Sequence, residues 1–254
     1  METSVFLGMI LILLMAALLQ SAVGFAYALF STPLFLWIGV PLPEAIVIIA
    51  VCSFFQASLG ASLLRASVPW RFAFSAIIIR TAATVVGIML LKRLAIQNTS
   101  EIKLVVGFIL CALVAIMLVA KIQPVDRMHW MWGGLAFSGS GILAGICGMG
   151  GPPLVLWTVA HNWSVEKTRG FIFTVMAASI PLQIFLLYLA FGADILRGIQ
   201  FAILALPAVY IGTRIGMPIG NRMPKKILTR TVYSVLLIVG LNAMAPPILQ
   251  YLMR

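Results

Sequence analysis

The chain has 254 residues, of which 63% are apolar and only 9% charged, with a mean hydropathy of +1.14; this composition excludes a soluble globular domain. A net charge of +11 would suggest a nucleic-acid partner in a soluble protein. Here the basic residues fall mostly in short breaks between apolar runs, the ordinary pattern of a multi-pass membrane protein whose solvent is the lipid bilayer, so no nucleic acid is expected.

The first apolar run covers 4–23. A signal peptide is the competing reading of residues 5–19, but Glu2 and no Lys or Arg precedes them and the run continues past Gly24, so it is read as a first span. Residues 25–38 come next and are too short to cross a bilayer at 1.5 Å per residue, which predicts a half-helix or re-entrant segment. Full spans are predicted at 43–64, 70–91, 102–120 and 131–147. A second short piece follows at 148–160, then spans at 168–191, 199–220 and 230–252. The expected fold is an all-α polytopic membrane protein of about eight transmembrane helices.

The short pieces also carry an internal repeat. Pro33-Leu34-Phe35-Leu36-Trp37 matches Pro153-Leu154-Val155-Leu156-Trp157 at four of five positions, and Thr84, Gly87 and Arg93 recur as Thr213, Gly216 and Arg222. Two colinear matches predict two homologous transmembrane repeats, 1–126 and 127–254, each with a broken or re-entrant segment. Whether the repeats are parallel or inverted depends on those segments. The loops after spans one, three, five and seven hold nine Lys or Arg against six on the other side and termini. This favours outside termini and a cytoplasmic cluster of Arg222, Lys225, Lys226 and Arg230.

The strongest local signal runs from Gly145 through Gly148-Met149-Gly150-Gly151 to Pro152-Pro153. So many glycines and prolines predict irregular backbone, which survives at membrane depth only where protein or a water-filled cavity satisfies it. Prolines can open a new helix, turning the amides of Gly150 and Gly151 toward the cavity, an arrangement suited to an anion. The first copy offers Gln20, Ser21, Gly24, Ser31 and Thr32 at the matching break, groups that can donate to the same anion. The competing reading is close helix packing by small residues.

Arg80 falls near the middle of the span 70–91, where a cation costs about 2.5–3.5 kcal/mol and needs a compensating partner. Thr84 and Gly87 share its helix face at i+4 and i+7. Arg214 is enclosed in 199–220 but nearer one end, so snorkelling competes with a substrate-binding role. Gln56 and Gln183 are read as helix glue. Trp37 and Trp157 are read as interfacial anchors, and His161 with Asn162 as an interfacial loop. Cys52, Cys111 and Cys147 fall within apolar runs, where packing is expected rather than a disulfide or metal site. All six acidic residues, Glu2, Glu44, Glu101, Asp126, Glu166 and Asp194, sit at span ends or in loops. No set of residues for a catalytic, metal or cofactor site can be assembled, so neither an enzyme nor a cofactor is expected.

The paired breaks followed by Pro-Leu, with Gly-x5-Arg closing the third span of each half, resemble the sulfite exporter TauE/SafE family. The resemblance extends over nearly the whole chain, and Gly148-Met149-Gly150-Gly151-Pro152-Pro153 is its best marker. The first copy departs from it, having Gly24-Phe25-Ala26-Tyr27-Ala28 where further glycines are expected. The resemblance implies a bacterial inner-membrane permease for sulfite or organosulfonates such as sulfoacetate or isethionate. The residues themselves reach only a small anion, moved by alternating access around a midplane site. The lack of a buried carboxylate for ion coupling leans toward export. A cation-coupled importer, an intramembrane enzyme or assembly factor, and a structural or regulatory protein are the alternatives. Small-residue faces serve packing within and between chains alike, so the oligomeric state stays open.

Overall fold

The computed structural model describes residues 3–119, 129–222 and 225–252. Every element of secondary structure in them is helical: α1 (Thr3–Val23), α2 (Tyr27–Trp37), α3 (Leu42–Leu63), α4 (Trp70–Leu94), α5 (Thr99–Val119), α6 (Trp130–Cys147), α7 (Gly151–Val159), α8 (Val165–Phe191), α9 (Asp194–Arg222) and α10 (Lys225–Leu252), with one 3-10 turn at Arg65–Ser67. Among the described residues seven helices are long and apolar enough to cross a bilayer. The eighth long helix, α10, contributes a shorter apolar part, Val232–Ala245. The side chains of the predicted cluster Arg222, Lys225, Lys226 and Arg230 lie outside the described residues.

Both predicted short pieces are separate short helices, of 11 and 9 residues. Each follows a three-residue break opened by a glycine of positive φ, Gly24 at 103° and Gly148 at 77°. A side chain is strained in that conformation, which is why glycine stands at both turns. The irregular backbone in the second half is shorter than its composition suggests. α6 stays helical through Gly145 to Cys147, and Pro152-Pro153 form the first turn of α7. Proline is tolerated there because a first-turn N–H has no intrahelical partner.

The short helices fold back. Trp157 of α7 meets Phe137 of α6 edge-on, ring centroids 4.9 Å apart, and a Cβ on Gly133 near the start of α6 would lie 3.4 Å from Trp157 Nε1. The end of α2 returns to the start of α1, where a Cβ on Gly8 would meet Ile38 at 3.9 Å. Two further pairs run in the same direction in tight contact. In α4 with α6, a Cβ on Gly145 would lie 2.7 Å from the Gly87 backbone. In α1 with α9, a Cβ on Gly216 would lie 2.9 Å from Leu18 Cα. Glycines at such crossings let two backbones approach more closely than any side chain permits.

Trp157 is buried, at 6% exposure, and packs with Phe72, Phe137, His161, Trp163 and Phe171. The expectation of an interfacial anchor is therefore corrected, because the fold-back carries this ring into the bundle. Trp37 is 48% exposed.

Candidate functional site

Arg80, on the inner face of α4, is 2% exposed. Its Nε donates to Ser140 Oγ on α6 at 3.0 Å, and Nη1 donates to Ser179 Oγ on α8. Ser140 in turn donates to the Gly150 carbonyl at 2.5 Å, tying the guanidinium to the second break. Among the described residues no carboxylate pairs with Arg80, and none of the described acids is buried: Glu44 and Glu101 are half-buried, Glu166 and Asp194 exposed. Serine hydroxyls orient the guanidinium without neutralising it. A cation so enclosed favours an anion beside it.

A cavity adjoins Arg80. It is lined by Gln20, Phe25, Tyr27, Ala28 and Leu29 at the first break; by Gly148, Met149 and Gly151 at the second; and by α3 and α8 through Ile46, Ile49, Ala50, Ser53, Met176, Ile180 and Gln183. The two breaks are far apart in sequence yet face one space. The N-terminal ends of α2 and α7 both open on it, so the partial positive charge of two helix termini adds to the guanidinium. In α7 the prolines at 152 and 153 bring no N–H, leaving the Gly151 amide as the forward donor of that turn. The space open to the centres of water molecules is about 20 Å³, room for about one.

Of the residues singled out from the sequence, Gln20, Arg80, Gly148 and Gly151 line the cavity. Gly150 lies beside it: a Cβ there would be 3.1 Å from Arg80 Nη2. Gly24 opens the first break without lining the space. The hydroxyls of four others are engaged elsewhere. Thr32 donates to the Cys147 carbonyl at 3.0 Å, Thr84 to the Arg80 carbonyl at 2.8 Å, and Ser31 to the Tyr27 carbonyl. Ser21 accepts from Gln56 Nε2 at 2.6 Å. Arg214 is exposed on α9 and is not brought to the cavity. Its place near one helix end lets the long stem carry the charge outward.

Sequence reasoning passed over Tyr27, Ser53, Ser140 and Ser179, and it read Gln183 as glue. Gln183 Nε2 does donate to the Ala144 carbonyl, at 2.9 Å, but the residue also lines the cavity. Gln56 is glue, holding Ala17 O, Ser21 Oγ and Thr213 Oγ1. Two polar atoms among the lining residues, Gln20 Nε2 and the Tyr27 hydroxyl, are buried without a partner. Gln20 Oε1 is occupied by the Tyr27 amide at 3.1 Å, which leaves its Nε2 available. Among the described residues no cluster of His, Cys, Asp or Glu could hold a metal ion.

Among the described residues, seven long apolar helices, two short helices that fold back and an enclosed cation fit a multi-pass membrane transporter. A family model described as sulfite exporter TauE/SafE matches residues 9–243, and the chain belongs to that family of membrane transporters of sulfur anions. No curated protein and no solved structure matches it.

Proposed function

We propose that this protein carries a small sulfur oxyanion, sulfite or an organosulfonate, outward across a bacterial inner membrane by alternating access around the Arg80 cavity. The observation that carries the reading is a buried guanidinium with no carboxylate partner among the described residues, at a point where two helix N-termini converge. The planar fork suits two oxygens of a sulfonate at once, and hydroxyl and amide donors supply the rest.

The two halves support the alternating part of the mechanism. Each begins with a long helix and a short returning one, then continues with three long helices. If a hairpin enters and leaves by one face, three crossings follow, an odd number, so the halves are inverted repeats. Rocking one half against the other would open the cavity to each side in turn. Folding back also changes which loops share a side. Arg65, Arg71, Lys167, Arg169, Arg222, Lys225, Lys226 and Arg230 gather at one end of the bundle, against Lys92, Arg93, Lys103 and Arg197 at the other. The richer end is assigned to the cytoplasm, and the start of α1 and end of α10 to the outside.

An inside-negative potential favours outward movement of a monovalent anion by about 2.3 kcal/mol per 100 mV, so export needs no coupling ion. In liposomes loaded with an organosulfonate, efflux through the purified protein is expected to follow an imposed potential and ignore a pH or Na⁺ gradient. Arg80→Gln is expected to lose transport by tenfold or more, since a hydrogen bond to a charged group contributes about 1.5–3 kcal/mol, while Arg80→Lys keeps a part. Wild-type flux through the folded Gln variant would overturn the proposal.

A further inference from the structure

We propose that Arg169 forms a second, outer anion station, through which the substrate passes between the Arg80 cavity and the basic end of the bundle; the inference rests on the reading of that cavity. Arg169 lies in the second turn of α8. Phe173, Met176, Ile180 and Gln183 follow it at i+4, i+7, i+11 and i+14, so all five share one helix face. The last three line the cavity. Ser179, whose hydroxyl holds Arg80, stands further along the same helix, about 15 Å of rise from Arg169. One face of α8 thus leads from the buried cation to a second cation near the end of the bundle.

The second cation is not simply solvated. Arg169 is half-buried, and its Nη2 donates to the Ala22 carbonyl at 3.2 Å, in the last turn of α1 just ahead of the Gly24 break. Among the described residues it has no carboxylate partner, and the neighbouring acid, Glu166, is exposed. A guanidinium has five donors, and one carbonyl leaves enough of the fork free for two oxygens of an anion. Arg65 and Lys167 stand at the same end and outnumber Glu166 among its described charges, so an arriving anion meets a net positive field.

The opposite end has no counterpart. Gln56 and Gln183, which bond the carbonyls of Ala17 and Ala144, are related by the same sequence offset as those alanines. That offset carries Arg169 onto Leu42, which is 1% exposed. Beside it stands Glu44, half-buried and packed close to Gly198. The guanidinium next to it, Arg197, already faces the Glu44 carboxylate, so a leaving anion finds no free one there. Capture is therefore one-sided, as an exporter loading from the basic end requires.

The test is one-way flux of 2-hydroxyethanesulfonate through the full chain in liposomes of known sidedness, with half-saturation measured from each side. Arg169→Gln is expected to raise the half-saturating concentration from the basic end roughly tenfold or more, and to leave the opposite side unchanged. Arg169→Lys keeps the charge and the contact to Ala22 but loses the fork, and should shift the same side by a smaller factor, which keeps the test open if the Gln variant fails to fold. An equal change on both sides, or none on either, would overturn the station and leave Arg169 a cap on α1. If Arg80→Gln in the same preparation is inactive, the cavity reading survives that result and only the station falls.

Discussion

The inner faces of α4 and α9 carry the same Thr-x2-Gly spacing with different chemistry around it. The offset that matches Thr84 and Gly87 with Thr213 and Gly216 places Val209 opposite Arg80. Both glycines receive the backbone of a neighbouring long helix, Gly87 from α6 and Gly216 from α1. The surroundings diverge, however. The offset between Gln56 and Gln183 maps Ser140 onto Leu13 and Ser179 onto Cys52, and Val209, Leu13 and Cys52 are all 0% exposed. A site made by both halves holds a cation on two hydroxyls, where its counterpart, Val209 with Leu13 and Cys52, is apolar. The packing frame can thus be shared while the charge is confined to a single site, which matches a single small anion better than a pair of equivalent ones.

The largest effect expected from breaking this comparison is Val209→Arg. A guanidinium placed among Leu13 and Cys52 would be a buried charge without hydrogen-bond acceptors, a state that costs about 3–5 kcal/mol when a buried pair is broken and one charge is left behind. The variant should lose most of its yield of folded protein, read by size-exclusion in detergent. Adding Leu13→Ser and Cys52→Ser should recover part of it by restoring the two hydroxyls. Unimpaired folding of Val209→Arg alone would mean that this place already provides for a charge and that the two sites differ less than their residues suggest.

The glycine crossings probe the shared part of the frame. Gly87→Val and Gly216→Val each force a side chain into a helix backbone, an overpacking that costs typically about 1–3 kcal/mol. If the halves share one frame, the two variants should lower the unfolding temperature by similar amounts. A loss confined to one would show that only that crossing is tight in solution. Gly134, where an added Cβ would meet nothing within 4 Å, serves as the control and should tolerate Ala without loss of a tertiary contact.

Much of this frame was legible in the sequence. Span lengths are dictated by bilayer thickness, so the eight long helices fall within a few residues of the apolar runs. The short helices were announced by Gly24, Gly148 and the prolines, and Arg80 by the cost of a charge at mid-span. What stayed hidden depends on direction and contact. A short apolar piece does not say that it turns back, so Trp157 was placed at an interface when it lies among aromatic rings. Ser140 and Ser179 look like the small packing residues of any membrane helix until Arg80 is seen to bond both. Arg214, like Arg80, is enclosed in an apolar run but lies on an exposed face, and the phase of a nearly all-apolar helix is poorly marked by its pattern.

The smallest effect expected is the sharpest test of the comparison, because it sets two residues of one type in matched places. Gln56 and Gln183 each donate to an alanine carbonyl one long helix away, Ala17 at 3.1 Å and Ala144 at 2.9 Å. Gln56 is further held by Ser21 and Thr213 and does not line the cavity, whereas Gln183 does. Replacing each with Leu removes donors of similar strength, about 0.5–1.5 kcal/mol for a neutral hydrogen bond. For Gln56→Leu the loss should fall on stability, since the two N–H groups shared among two hydroxyls and a carbonyl are removed and the residue does not line the cavity. For Gln183→Leu the Ala144 carbonyl keeps the Gly148 amide as donor, while the cavity loses a polar wall and gains an apolar one. The result should be a severalfold weaker affinity for a sulfonate, measured by calorimetry on the purified protein, with an unfolding temperature closer to that of the wild type than Gln56→Leu shows. Equal affinities in the two variants would make Gln183 the same structural tie as its partner, and the chemistry of the cavity would then rest on Arg80, Gln20 and the helix termini without it.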